Sequence, residues 1–152
     1  MIDCQISVHI DAPPARVWSI LLDVERWHEW TASISRIERL DSGPLLVGSC
    51  ASIHQPRLPA GVWQVTHLDP SCGIFHWATR SVGVTATGCH VIEPEDAGTR
   101  ATLWLEFAGV LAPVFVWLLH SQNCRYVTME AEGLKHRSEQ PVIPPHQELA
   151  DS

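Results

Sequence analysis

The 152-residue sequence predicts an α+β fold: a seven-stranded antiparallel sheet curled around one long C-terminal helix, with two short helices after the first strand. Three observations lead there. Apolar and polar residues alternate at the N-terminus, six short apolar runs divided by turn residues follow between Ile34 and Phe107, and beyond Gly109 the apolar spacing lengthens to three and four.

In the first strand Cys4, Ile6, Val8 and Ile10 alternate with Asp3, Gln5, Ser7 and His9, so one face is apolar and the other polar. Asp11 is placed to cap a helix whose first turn accepts Pro13 and Pro14. Val17, Ile20, Leu21 and Val24 then recur at helical spacing, and this helix, or a second short one, continues through Glu25–Trp30. Strands are expected near 34–40, 47–54, 62–68, 74–80, 84–92 and 99–107, divided by Gly- and Pro-rich turns of hairpin length, which makes a meander. For strand 47–54 two inner faces compete: Val47, Ser49, Ala51 and Ile53, or Gly48, Cys50, Ser52 and His54. The final helix spans about 113–136 with Pro113 at its start, and Phe115, Leu118, Gln122, Tyr126, Met129 and Gly133 share one face. One domain therefore covers 1–137, and 138–152, with three prolines and no apolar period, is expected to be a disordered tail. A strongly twisted sheet curls around the last helix, the short helices close one end, and the space left between is where a ligand fits.

Composition excludes several roles. Hydrophobic residues make up 45% and charged residues 18%, the balance of a chain that folds around a core. The net charge is −7, with Lys135 the single lysine and no run of arginines, so nucleic acid and anionic membrane surfaces are not expected partners. No apolar run reaches the roughly 18 residues of a membrane span. Cys4, Cys50, Cys72, Cys89 and Cys124 are odd in number and widely spaced, which reads as five free thiols in a reducing cytoplasm. The nine histidines include no His-x3-His pair and the cysteines no Cys-x2-Cys pair, so neither a metal nor another cofactor is expected. There is no GxSxG and no inward pair of carboxylates.

Alternation selects the candidate site residues. If Val84 and Ile92 point inward, so do Ala86, Gly88 and His90; the two small residues leave room, and His90 becomes a polar group on an apolar wall. It is either a ligand-orienting or proton-transferring group, or a core histidine bonded to backbone. Phe75 and Trp77 share the inner face of their strand, as do Leu103 and Leu105 of theirs. On the long helix Gln122 interrupts an apolar stripe between Leu118 and Tyr126, and an unsatisfied polar group there is costly unless it meets a cavity. Trp27 and Trp30 lie on one helical face, as lid or as anchors on the sheet. The expected ligand-binding set is Trp30, Phe75, Trp77, Gly88, His90, Leu103, Leu105, Leu118, Gln122 and Tyr126. An outward Trp104 beside His76 or Trp63 would form an aromatic patch suited to a homodimer.

Ile10-Asp-Ala-Pro-Pro-Ala-Arg-Val-Trp18, Asp23-Val-Glu-Arg-Trp-His-Glu-Trp30, Val47-Gly48, Leu68-Asp-Pro70, His90-Val-Ile-Glu-Pro94 with Gly98-Thr-Arg100, and Tyr126 with Glu132-Gly-Leu-Lys135 follow a recognisable order. Across residues 3–137 the chain resembles the SRPBCC (START-like, helix-grip) superfamily, and within it the polyketide cyclase/dehydrase-like branch. The resemblance implies a helix-grip fold that binds or carries a small, largely apolar molecule in an internal cavity. The alternative it implies is a cyclase/dehydratase-type enzyme acting on a polyketide-like or aromatic carbonyl compound, and a third role is protein interaction with a vestigial cavity.

Overall fold

In the computed structural model, which describes residues 1–141, the strands are β1 (Ile2–Ile10), β2 (Arg36–Arg39), β3 (Cys50–His54), β4 (Gly61–Asp69), β5 (Ile74–Ser81), β6 (Val84–Glu95) and β7 (Gly98–Ala108). They form one antiparallel sheet in the order β1-β7-β6-β5-β4-β3-β2. Six strands follow one another as hairpins, and β1 returns to pair with the last of them, Ile2 opposite Glu106 and Ile10 opposite Thr99. Helix α1 (Pro14–Leu22) and a 3-10 helix (Val24–Glu29) follow β1, and helix α2 (Ala112–Glu139) closes the domain. This is the helix-grip arrangement. Among the described residues no helix is long and apolar enough to cross a membrane.

Helix α2 packs mainly on β1 and β7, at one end of the sheet order. The β3–β5 half is therefore left without helical cover from α2, and the gap is closed partly by the 3-10 helix against β2. The core between the layers contains Ile10, Val17, Leu21, Trp27, Phe75, Leu103 and Leu134, all almost fully buried. Burying each such side chain contributes about 1.5–3 kcal/mol. Ala51 and Ile53 point into this core, which resolves the inner face of β3; that strand starts at Cys50 rather than near 47.

Several expectations are corrected. Asp11 does not cap α1: Pro13 occupies the N-cap without a side-chain bond, while the Asp11 carboxylate meets His9 Nε2 at 3.0 Å. Proline has no donor to be capped and its fixed φ already starts the helix. Asp3 is buried, not on the polar face. β1 carries one extra residue between Asp3 and Ile6, with Cys4 at φ 55°, and this bulge breaks the alternation. Cys4 and Cys124 form a disulfide joining β1 to α2, so three thiols are free instead of five: Cys50, Cys72 and Cys89. The two partners are 120 positions apart, and spacing carries no sign of a pair made by the fold. Helix α2 includes Ser138 and Glu139; the remainder of the stretch expected as a tail, from 142 onward, lies outside the described residues.

Candidate functional site

A cavity of about 230 Å³ lies between the sheet and α2. Its sheet wall is Trp77 of β5, Ala86, Gly88 and His90 of β6, and Leu103 and Leu105 of β7. Alternation within each strand and the register between them bring these side chains together: Gly88 lies opposite Trp77 on one side and Leu105 on the other. The helix wall is Phe115, Leu119, Asn123, Tyr126, Val127 and Glu130, a stripe at three- and four-residue steps. Trp27 lines it from the 3-10 helix, and Trp63 with the Gln55–Gly61 segment borders the mouth. The Tyr126 hydroxyl donates to the carbonyl of Pro56, tying α2 to that segment.

The polar end of this apolar space is His90, only 3% exposed. Its Nδ1 lies 3.0 Å from the carbonyl oxygen of Phe75 and its Nε2 lies 2.5 Å from Oε1 of Glu130. A carbonyl only accepts, so Nδ1 carries a hydrogen. The Nε2–Oε1 contact then needs one proton of its own, on the ring or on the carboxyl group, and the pair is a shared proton site facing the cavity. The ring is clamped as well. Phe75 stacks on it at 5.3 Å and 27°, and Trp27 meets it edge-on at 5.4 Å. Two hydrogen bonds and two aromatic contacts hold one rotamer, which is what an orienting group requires.

Of the ten expected residues, Trp77, Gly88, His90, Leu103, Leu105 and Tyr126 line the cavity. Phe75 sits behind the wall as the stacking partner of His90. Trp30, Leu118 and Gln122 do not line it. Trp30 packs against Gly133 of α2 and borders a separate depression beside Arg16 and Ile20. Leu118 is 63% exposed, and the Gln122 Nε2 atom is buried with no partner among the described residues. The cause is helical phase. The inward stripe contains Asn123 and Glu130, so apolar periodicity drew it one position aside, through Leu118 and Gln122. Glu130, Asn123, Trp63, Phe115 and Leu119 were not anticipated as walls. Glu130 and His90 lie 40 positions apart and have no local signal linking them.

Of the expected outward aromatic patch, Trp104 and His76 do meet, with ring centroids 5.8 Å apart, but both are half-buried and Trp63 is not part of it. Trp63 faces the cavity, while Trp104 donates Nε1 to Glu106 at 2.9 Å. Burial holds the His76 imidazole below its ordinary pKa. Exposed apolar side chains occur instead at Val82 and at the start of α2, in Val114, Trp117 and Leu118.

The chain belongs to the family described as polyketide cyclase/dehydrase and lipid transport, which it matches over residues 1–139, within the SRPBCC superfamily. No curated protein matches it by sequence. Among solved structures it is similar to a protein of Thermus thermophilus, at 17% identity and TM-score 0.73, covering 89% of this chain and 95% of that one. It is similar to the Zhui aromatase/cyclase of a Streptomyces species at 18% identity and TM-score 0.72, covering 89% and 92%. It also resembles one part of the di-domain aromatase/cyclase BexL, at 17% identity and TM-score 0.68, covering 90% of this chain and 46% of that one. At such identities these likenesses establish the fold.

Proposed function

We propose that the protein binds or carries a small, largely apolar molecule with one polar group, held in the cavity with that group against His90 and Glu130. The observation that carries this reading is a buried histidine–carboxylate pair on the wall of a cavity that is otherwise mostly apolar, with Thr79, Asn123 and Tyr126 as further polar side chains. Size narrows the class. An apolar cavity of about 150 Å³ takes benzene, so 230 Å³ suits a one- or two-ring aromatic molecule better than a long acyl chain. Trp27, Trp63 and Trp77 stand in the walls and supply a built-in fluorescent reporter.

The test is a fluorescence titration with 2-naphthol and, in parallel, naphthalene. Saturable 1:1 quenching is expected, with naphthol binding tighter. Both nitrogens of His90 are engaged, so the hydroxyl bonds the second carboxylate oxygen of Glu130. Glu130→Ala should therefore remove that preference, a loss of about 10- to 100-fold for a buried hydrogen bond to such a group. If neither compound quenches saturably, the binding reading fails. If both bind equally well to both proteins, the pair is not the polar anchor.

The shared proton of His90 and Glu130 favours a second reading, a cyclase/dehydratase-type enzyme that moves a proton on a bound carbonyl compound. Hydrogen–deuterium exchange α to the carbonyl of an aromatic ketone such as 2-tetralone, followed by NMR, separates the two. Exchange accelerated by the protein and lost in His90→Ala supports chemistry. Binding without exchange leaves a carrier.

A further inference from the structure

We propose that Asp3, Cys4, His120 and Cys124 bind one zinc-type divalent ion once the Cys4–Cys124 bond is reduced. None of the four lines the cavity, so the proposal stands apart from the ligand reading. One ligand atom from each residue lies within 4.8 Å of the other three. Two thiolates, an imidazole and a carboxylate are a donor set for tetrahedral zinc.

The local backbone converges on this cluster. In a regular strand Asp3 and Cys4 would point to opposite faces. The bulge in β1, with Cys4 at φ 55°, lets both side chains meet the same face of α2. Bulges that re-aim a side chain in this way recur beside functional sites. On α2, His120 and Cys124 stand one turn apart, the spacing that brings two ligands to one ion.

The distances fit. A tetrahedron with zinc–sulfur and zinc–nitrogen bonds of about 2.3 and 2.05 Å has sulfur–nitrogen edges of about 3.6 Å. Nδ1 of His120 is 3.8 Å from each sulfur, Nε2 is 3.7 Å from that of Cys124, and the Cys4 sulfur is 3.4 Å from Asp3 Oδ1. The carboxylate is oriented from behind: Asn123, itself buried, donates to Oδ2 of Asp3 at 3.0 Å. Partners of this kind hold a ligating group in place. The His120 side chain is 60% exposed, which gives an ion a path from solvent.

The chemistry balances with a dithiol as reductant. It transfers two electrons and two protons to Cys4 and Cys124, breaking their bond, and becomes a cyclic disulfide. Rotation about the two Cα–Cβ bonds separates the sulfurs, and the ion displaces both thiol protons as it binds. Oxidation and metal binding therefore exclude each other, and the cluster is a redox-gated metal site.

The test uses Co²⁺ on the full chain, reduced with a dithiol that is then removed under argon. One Co²⁺ per chain is expected, with thiolate-to-cobalt charge transfer and the intense visible bands of tetrahedral cobalt. Oxidised protein should show neither. Cys4→Ser should weaken binding about 100-fold and His120→Ala at least 10-fold, whereas Cys72→Ser should change nothing. Circular dichroism establishes that each variant is folded. His120 is a surface side chain, so its variant keeps the test decisive even where Cys4→Ser fails to fold. No stoichiometric cobalt on reduced protein, or an unchanged spectrum and affinity in folded His120→Ala, overturns the proposal.

Discussion

Gly133 of α2 and Trp30 at the end of the 3-10 helix meet backbone to backbone: a Cβ atom on Gly133 would sit 1.9 Å from the carbonyl oxygen of Trp30. This contact seats the 3-10 helix on α2 and with it Trp27, which packs 5.3 Å from Trp30 and lines the cavity. Two effects oppose each other in Gly133→Ala. Alanine gains about 1 kcal/mol of helix propensity, but forced overpacking against rigid backbone costs about 1–3 kcal/mol. The clash wins, and urea unfolding should show a lower midpoint with an unchanged slope.

Gly88 and Ala86 share the inner face of β6 but respond differently to enlargement. A Cβ on Gly88 would stand 3.3 Å from Cδ1 and Nε1 of Trp77, so the indole already covers that glycine. Gly88→Phe must displace Trp77, and the melting temperature should fall. Ala86 borders the cavity, and Ala86→Phe should fill it. Naphthol quenching should then be lost with a melting temperature close to that of the parent. A naphthol affinity unchanged in Ala86→Phe would mean that the probe binds elsewhere.

The six-strand meander and the inner faces of β5, β6 and β7 were legible because each rests on a local rule, whereas the pairing of β1 with β7 and the inner face of β3 were not. Period-two alternation placed Trp77, His90 and Leu103, and turn residues delimited the hairpins. The helix face was misread because its inward stripe contains two polar residues, Asn123 and Glu130, whose partners Asp3 and His90 lie on distant strands. The Cys4–Cys124 bond and the buried Asp3 were illegible for a related reason. Both depend on one bulge, and a bulge shifts phase without changing composition.

Thiol chemistry distinguishes the five cysteines. Unfolded but unreduced protein should titrate three thiols, Cys50, Cys72 and Cys89, and a count of five would remove the disulfide. In the native state Cys89 should resist alkylation at pH 8, because burial pushes its pKa up to about 12 and leaves almost no thiolate. Cys72 is exposed and should react. Mass mapping after brief iodoacetamide treatment reads both outcomes.

His9 links two elements through charge. Its Nδ1 meets Glu95 at 2.9 Å and its Nε2 meets Asp11 at 3.0 Å. The bond to Glu95, then that to Asp11, holds the imidazole above its ordinary value of 6.5. Because the folded value is raised, the folded state binds the proton more tightly. The stabilisation is complete below 6.5 and fades as pH rises through the folded value. NMR titration of the His9 ring should give a midpoint above 6.5 that falls in Glu95→Gln; the same midpoint in both proteins would refute the link.

The pairing of β1 with β7 sets the timetable of folding. Ile2 finds its neighbour in Glu106, and Asp3 is completed only by His120 and Asn123. On a ribosome the first strand emerges long before any of these exist, so its apolar face waits through the synthesis of the whole meander. At about 5–20 residues per second the wait lasts on the order of 5–25 seconds. The hairpins from β2 to β7 can zip in order as they appear, whereas the first strand can dock only once β7 has been made. During that interval it is the segment most open to chaperones, and to pairing with the same strand of a neighbouring nascent chain.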